Sequence, residues 1–254
     1  MHYTKMHGIG NDYLFVFGEV PENAAELSRK YSDRKNGIGS DGMIYINYSD
    51  IADFSMRIFN ADGSEAKMCG NGIRCVAKFV RERGYTDKDE LTVETLSGVK
   101  RIWMDSEGVT VDMGKAEISA DVLLDLGFEC TPVSVGNPHA VIFTDDVALV
   151  LLRDIGPKIE HNKAFPGRVN VEFISIVGEN ELRMRVWERG SGETQACGTG
   201  ACASAAAAVS KGFCRAGKPI KVHLDGGDLE ITVKEDLTCL MRGPAEFVSE
   251  GEIE

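Results

Sequence analysis

Two short stretches carry the residues best suited to chemistry: Cys69-Gly70-Asn71-Gly72 and Cys197-Gly198-Thr199-Gly200. Each sets a cysteine ahead of a glycine–polar–glycine turn, and each turn leads into a run with helical character, Ile73 to Arg83 and Ala201 to Ser210. A cysteine just before a helix sits where unpaired backbone N–H groups and the positive end of the dipole converge. That setting favours thiolate and draws the pKa from about 8.5 toward neutrality. The flanking glycines let the same backbone donors approach a ligand closely, so such a helix end also suits a carboxylate. One such thiol fits a nucleophile or a redox centre. Two matched thiols fit inversion at carbon, in which one sulfur takes a proton from one face and the other delivers a proton to the opposite face. The planar carbanion in between needs donors aimed at its carboxylate. The two acid–base groups work best with pKa values near the operating pH.

The elements that must position these thiols occur twice. At an offset of 128 positions, Met56-Arg57-Ile58-Phe59-Asn60 lies over Met184-Arg185-Val186-Trp187-Glu188, Glu65 over Glu193, and Cys69 over Cys197. In the first half, Tyr13 to Phe17, Met43 to Tyr48 and the alternating Asp53 to Asn60 read as strands. Residues 22–35 read as a helix started by Pro21, and 91–105 as a hairpin around Ser97-Gly98. The second half gives strands at Ala140 to Phe143, Val171 to Val177 and Leu182 to Glu188, then a hairpin over 220–233. The helix at Ala201 to Ser210 is alanine, cysteine, serine and valine on every side, which predicts burial. The expected architecture is α+β: two pseudo-symmetric domains, each a curved, largely antiparallel sheet or barrel wrapped around a central helix. The N-terminal half is expected at 1–113, carrying Cys69, with 244–254 packing back onto it; the C-terminal half, 114–243, carries Cys197. A substrate is expected in a cleft that the halves share and that closes to expel water.

The 254 residues are 43% hydrophobic and 27% charged, the balance of a soluble globular protein. The net charge of −12 argues against nucleic-acid and anionic-membrane partners. The opening MHYTKMHGIGNDYLFVF has no uninterrupted apolar segment of the secretory kind, and the apolar run near Ala201 to Val209 is too short to span a bilayer. A cytoplasmic location is expected. The seven cysteines are odd in number and make no CxxC pair, so neither a disulfide framework nor a zinc site is expected. Cys75, Cys130, Cys202, Cys214 and Cys239 read as packing residues. Gly8 and Gly10 lack the third glycine and the preceding strand of a dinucleotide fingerprint.

Four segments together resemble the diaminopimelate epimerase family. They are Lys5-Met6-His7-Gly8-Ile9-Gly10-Asn11-Asp12; Asn60-Ala61-Asp62-Gly63-Ser64-Glu65 with Cys69-Gly70-Asn71-Gly72-Ile73-Arg74-Cys75; Gly136-Asn137-Pro138-His139; and Glu188-Arg189-Gly190-Ser191-Gly192-Glu193-Thr194-Gln195-Ala196-Cys197-Gly198-Thr199-Gly200-Ala201-Cys202. The match is collinear as far as Gly243-Pro244-Ala245. The resemblance implies a cofactor-independent epimerase interconverting LL- and meso-2,6-diaminopimelate, in lysine and peptidoglycan-precursor synthesis. Cys69 and Cys197 match the catalytic pair, with Cys69 donating and Cys197 accepting the proton in the LL-to-meso direction. Asn11, Asn60, Asn137 and Asn170 match substrate-binding asparagines, and Glu188 with Arg189 a substrate-binding couple. Gly70, Asn71, Gly198 and Thr199 match the helix-end groups that grip the carboxylate, while His139 and Glu188 match positions that modulate the thiols. The family also implies a homodimer, no cofactor and no metal. One departure stands at Gly42, where some relatives carry a substrate-contacting glutamine.

From the residues alone other readings stay open. The asparagines also suit turn-bracing roles, and Glu188-Arg189 a solvated pair. Alternatives for the whole chain are another two-cysteine racemase of the proline or hydroxyproline type, a non-catalytic amino-acid-binding protein, or a thiol redox protein.

Overall fold

The structure, a computed structural model, describes residues 1–254 and resolves into two compact units: Met1–Val111 with Gly243–Glu254, and Asp112–Arg242. In chain order the first unit opens with β1 (His2–Gly8), β2 (Asn11–Phe17), α1 (Ala24–Ser32), β3 (Gly42–Tyr48), β4 (Phe54–Asn60) and β5 (Glu65–Ala66). It continues with α2 (Gly70–Glu82), β6 (Glu90–Thr95), β7 (Gly98–Asp105) and β8 (Gly108–Lys115), which carries the chain out of it. The second unit holds β9 (Glu117–Ile118), β10 (Val122–Leu123), β11 (Glu129–Ser134), β12 (Pro138–Phe143), a 3-10 turn at Val147–Leu149, and α3 (Leu152–Glu160). There follow β13 (Asn170–Gly178), β14 (Glu181–Glu188), β15 (Gly192–Thr194), α4 (Gly198–Ser210), β16 (Pro219–Leu224), β17 (Gly227–Val233) and β18 (Thr238–Gly243). The final strand, β19 (Glu246–Glu252), belongs to the first unit.

The two units follow one pairing plan. In the first, β1 pairs antiparallel with β19 and β2, β2 runs parallel to β3, β3 antiparallel to β4, β4 parallel to β6, and β6 antiparallel to β7. In the second, β11 pairs antiparallel with β9 and β12, β12 runs parallel to β13, β13 antiparallel to β14, β14 parallel to β16, and β16 antiparallel to β17. Matched residues occupy matched places. Gly42 starts β3 and lies between Tyr13 and Asn60; Asn170 starts β13 beside His139.

Each sheet is covered on both faces, which is why its central strands read as continuous apolar runs rather than alternations. In the first unit, Leu14, Val16, Met43, Tyr45 and Phe59 pack with Ala24 of α1, while Phe15 on the opposite face stacks on Phe79 of α2 at 6.4 Å. In the second, Ala140, Ile142, Val171 and Phe173 pack with Leu152 and Ile159 of α3. The other face receives α4, in which Gly198 and every residue from Gly200 to Ala208 are buried, as its composition predicts.

Both cysteine-bounded helices begin earlier than their apolar runs suggest, at Gly70 and Gly198. The glycine-rich turns are therefore the first helical turns, and each cysteine is the N-cap. Lys5 to Gly8 falls within β1, and the reversal into β2 is confined to Ile9 and Gly10, at φ 49° and 88°. The α3 helix has no forecast in the sequence, because Gly156 and Pro157 interrupt its helical character. Packing imposes that glycine: a Cβ at Gly156 would stand 2.6 Å from Trp187 Cγ.

Candidate active site

In the first unit Cys69 has extended backbone angles (φ −136°, ψ 115°), as an N-cap requires. Its Sγ accepts a hydrogen bond from Gly72 N at 3.3 Å and contacts Asn11 Oδ1 at 3.3 Å. Asn71 Nδ2 donates to the same Asn11 oxygen at 3.4 Å, so Asn11, Asn71 and Cys69 form one polar cluster. Asn11 is held from behind: its Nδ2 donates to Asp41 Oδ2 at 2.6 Å, and Asp41 also accepts from Asp12 N and Arg34. Burial works to raise the Asp12 carboxyl, but hydrogen bonds and charge from Arg34 and Lys5 bring it below the usual range. Arg74, fully buried, donates to Asn71 Oδ1 and Gly70 O and so fixes the first turn of α2. Asn60 instead donates to Ser64 Oγ at 3.0 Å within its own turn. A side chain at Gly42 would overlap the Phe59 carbonyl, so a glutamine there requires the backbone to move.

The second unit builds the counterpart. Cys197 caps α4 with φ −129° and ψ 109°, accepting from Gly200 N at 3.4 Å, and Thr199 Oγ1 lies 3.5 Å from its sulfur. Asn137 Nδ2 donates to Thr199 Oγ1 at 3.3 Å, and Asn137 Oδ1 lies 3.0 Å from His139 Nε2. Thr194 donates to Glu188 Oε1 at 2.5 Å, while Arg189 turns to Gly167 O, so Glu188 and Arg189 face different partners. Asn170 spends its amide on Pro138 O and Arg189 N, which makes it a brace of the turn after Glu188.

The two thiols share a scaffold and differ in electrostatics. Position 44 is Ile and its counterpart 172 is Glu; position 60 is Asn and its counterpart 188 is Glu. A Cβ at Gly72 would meet Ile44 Cδ1, and one at Gly200 would meet Glu172 Oε1, each at 2.6 Å. Burial, then the charges of Glu188 and Glu172, push the Cys197 thiol well above its ordinary value, opposite to the shift expected of a helix end alone. Hydrogen bonds from Thr199 and Gly200 oppose that rise and do not overcome it. Burial also raises Glu188, against the pull of Thr194. In the first unit, Tyr13 shares a face of β2 with Asn11; burial and then the adjacent Cys69 raise its phenol well above the ordinary range.

Sequence reasoning missed Tyr13, Asp41 and Glu172. Glu172 had a signal: a lone charge between Val171 and Phe173-Ile174, in a mostly apolar strand covered on both faces.

The profile of a protein family described as "Diaminopimelate epimerase" matches residues 3–119 and 131–248. A Bacteroides thetaiotaomicron protein named diaminopimelate epimerase is 52% identical over 264 residues, covering 99% of this chain and 97% of its own. Among solved structures, a Bacillus anthracis phenazine biosynthesis protein superposes with a TM-score of 0.80 at 18% identity, over 100% of this chain and 99% of that one. A probable proline racemase from Agrobacterium radiobacter gives 0.73 at 16% identity, over 100% and 92%. Those two likenesses show a shared fold. No helix is long and apolar enough to cross a membrane.

Proposed function

The chain belongs to the diaminopimelate epimerase family, and on that footing we propose that it interconverts LL- and meso-2,6-diaminopimelate, with Cys69 and Cys197 as its two proton-transfer groups. The observation that carries this reading is the repeated thiol site: two N-cap cysteines, each receiving a backbone N–H from the third residue of its helix, at 3.3 and 3.4 Å. The requirement for one acid and one base on opposite faces of the α-carbon is met by two thiols without a cofactor. Helix-end amides at Gly70, Asn71, Gly198 and Thr199 supply the donors on which developing carboxylate charge depends.

Unlike neighbours give the two thiols unlike proton affinities. With its pKa raised, Cys197 rests as a thiol. It becomes a strong base once its proton passes to an acceptor, and Glu188 is the carboxylate whose charge acts most strongly on it. A strong base suits a weakly acidic α-hydrogen. Asn11 and Asn137, each hydrogen-bonded in place, would bind the polar ends of the substrate, together with Asn60, Glu188 and Arg189. Asn170 acts through the Arg189 turn that it holds.

The same reading gives a homodimer in the cytoplasm, serving lysine and wall-precursor synthesis and binding no nucleic acid. Sedimentation at twice 27.7 kDa tests the dimer. Incubation with LL-diaminopimelate in heavy water, under reducing conditions and without added cofactor, is expected to give α-deuterated meso product. Absence of deuterium uptake refutes the epimerase reading, and turnover of free proline instead favours a proline-type racemase. Cys69→Ala and Cys197→Ala are each expected to abolish epimerisation in a folded protein; full activity in either refutes the two-base scheme.

A further inference from the structure

Glu172 sits near the start of β13, between two neighbouring strands, paired to Val141 of β12 on one side and Val186 of β14 on the other. Its exposure is 0%. A carboxyl group placed there costs several kcal/mol unless it is paired. It has one partner: Oε1 lies 2.6 Å from His139 Nδ1, the His139 side chain is equally buried, and Oε2 makes no hydrogen bond. From that pair a continuous chain runs to the sulfur: His139 Nε2 to Asn137 Oδ1 at 3.0 Å, Asn137 Nδ2 to Thr199 Oγ1 at 3.3 Å, and Thr199 Oγ1 to Cys197 Sγ at 3.5 Å.

The direction of each link follows from the next. Asn137 donates to Thr199 through its amide nitrogen, so the oxygen faces His139. An amide oxygen only accepts, so His139 Nε2 must carry hydrogen. A neutral imidazole has a single N–H, and with Nε2 holding it, the proton between Nδ1 and Oε1 belongs to the pair. Carried on either atom, it leaves the pair without net charge, which is how the two groups tolerate burial, and on Nδ1 it leaves the carboxylate the charge that acts on Cys197. An imidazole with a bare Nε2 would set its lone pair against the Asn137 oxygen and turn that amide over. Thr199 would then face an acceptor instead of a donor.

We propose that Glu172 is a positioning residue for proton transfer at Cys197: the proton it shares with His139 holds Nε2–H toward Asn137, and so fixes the direction of every hydrogen bond from the buried pair to the thiol. The inference rests on reading Cys197 as a proton-transfer group. Glu172→Gln keeps the side-chain volume and a hydrogen-bonding end but cannot share a proton, and its amide satisfies Nδ1 in either orientation, so the ring loses its single setting.

The test combines turnover with ring ¹⁵N NMR of the full chain. In the parent protein, His139 Nε2 is expected to show a directly bonded proton. In Glu172→Gln the ring is expected to populate both tautomers, with kcat falling at least tenfold, by analogy with the ~10–100-fold losses that follow removal of the partner orienting a metal-bound histidine. A bare Nε2 in the parent protein overturns the proposal. So does a Glu172→Gln variant with parental ring signals, whether its kcat is retained or lost, because a purely structural role leaves the tautomer alone. Cys197→Ala is run alongside: epimerisation surviving in that variant refutes the role of the thiol, whatever the ring signals report.

Discussion

The matched glycines Gly72 and Gly200 allow the electrostatic difference between the two thiol sites to be measured as a difference in stability. Both occupy the third position of a helix that follows a cysteine cap. Replacing either with Ala removes backbone entropy from the unfolded chain and adds about 1 kcal/mol of helix preference. A new Cβ would stand 2.6 Å from Ile44 Cδ1 in one case and from Glu172 Oε1 in the other, against an ordinary contact of 3.4 Å, so each neighbour must yield about 0.8 Å. At Gly72 the obstacle is the terminal methyl of a side chain, which yields by an off-rotamer χ costing about 0.5–1.5 kcal/mol. The net change for Gly72→Ala is then within about 0.5 kcal/mol of zero. At Gly200 the obstacle is a carboxylate oxygen held by His139 at 2.6 Å. A retreat of that size stretches the bond beyond the useful range for a hydrogen bond. Breaking a buried pair costs about 3–5 kcal/mol, which leaves Gly200→Ala destabilised by about 2–4 kcal/mol after the helix gain. Urea unfolding of both variants against the parent measures this, with midpoints compared at a common m-value. Equal losses, or a larger loss at Gly72, would refute the argument that the Glu172–His139 pair is what Gly200 accommodates.

Three further outcomes are expected. Glu188→Gln removes a negative charge that raises Cys197, so the thiol pKa falls and alkylation of Cys197 by iodoacetamide at pH 8 quickens; an unchanged or slower rate contradicts the assignment. Buried Cys130 and Cys75 are pushed up to about 11 and about 12. Because the unfolded thiols ionise near pH 8.5 while the folded ones stay neutral, their stabilising effect is intact below that value and declines as pH rises toward 11 and 12. Urea titrations from pH 8 to 10 should show Cys75→Ala losing less stability over that interval than the parent, and an identical slope counts against it. Asp41→Ala frees the Asn11 amide bonded at 2.6 Å, so KM is expected to rise several-fold with a stability loss of about 1–3 kcal/mol; a change confined to kcat would mean that Asp41 does not act through substrate binding.

Elements whose causes are local could be read before the fold was seen. The alternation of Phe54, Met56 and Ile58 gave β4, and the all-round small residues of 201–208 gave a buried helix. α3 could not be read, because Gly156 and Pro157 argue locally against a helix and only the Trp187 ring across the packing explains the glycine. The site divides the same way. Cys69, Cys197, Asn11 and Asn137 stand in motifs that short stretches display, whereas Tyr13 and Glu172 are placed by strand pairing and Asp41 by the turn ahead of β3, and these three had only weak signals.

The sequence by itself determined that the chain is a duplication with a thiol at the head of a helix in each half, since capping and hydrophobic period are short-range properties of neighbouring residues. What only the tertiary structure decided is how those thiols differ. Glu172 and Glu188 precede Cys197 in the chain, and strand pairing together with the burial of α4 brings their charges against its sulfur. Desolvation and like charge there outweigh the helix end, and both depend on what surrounds the sulfur in space.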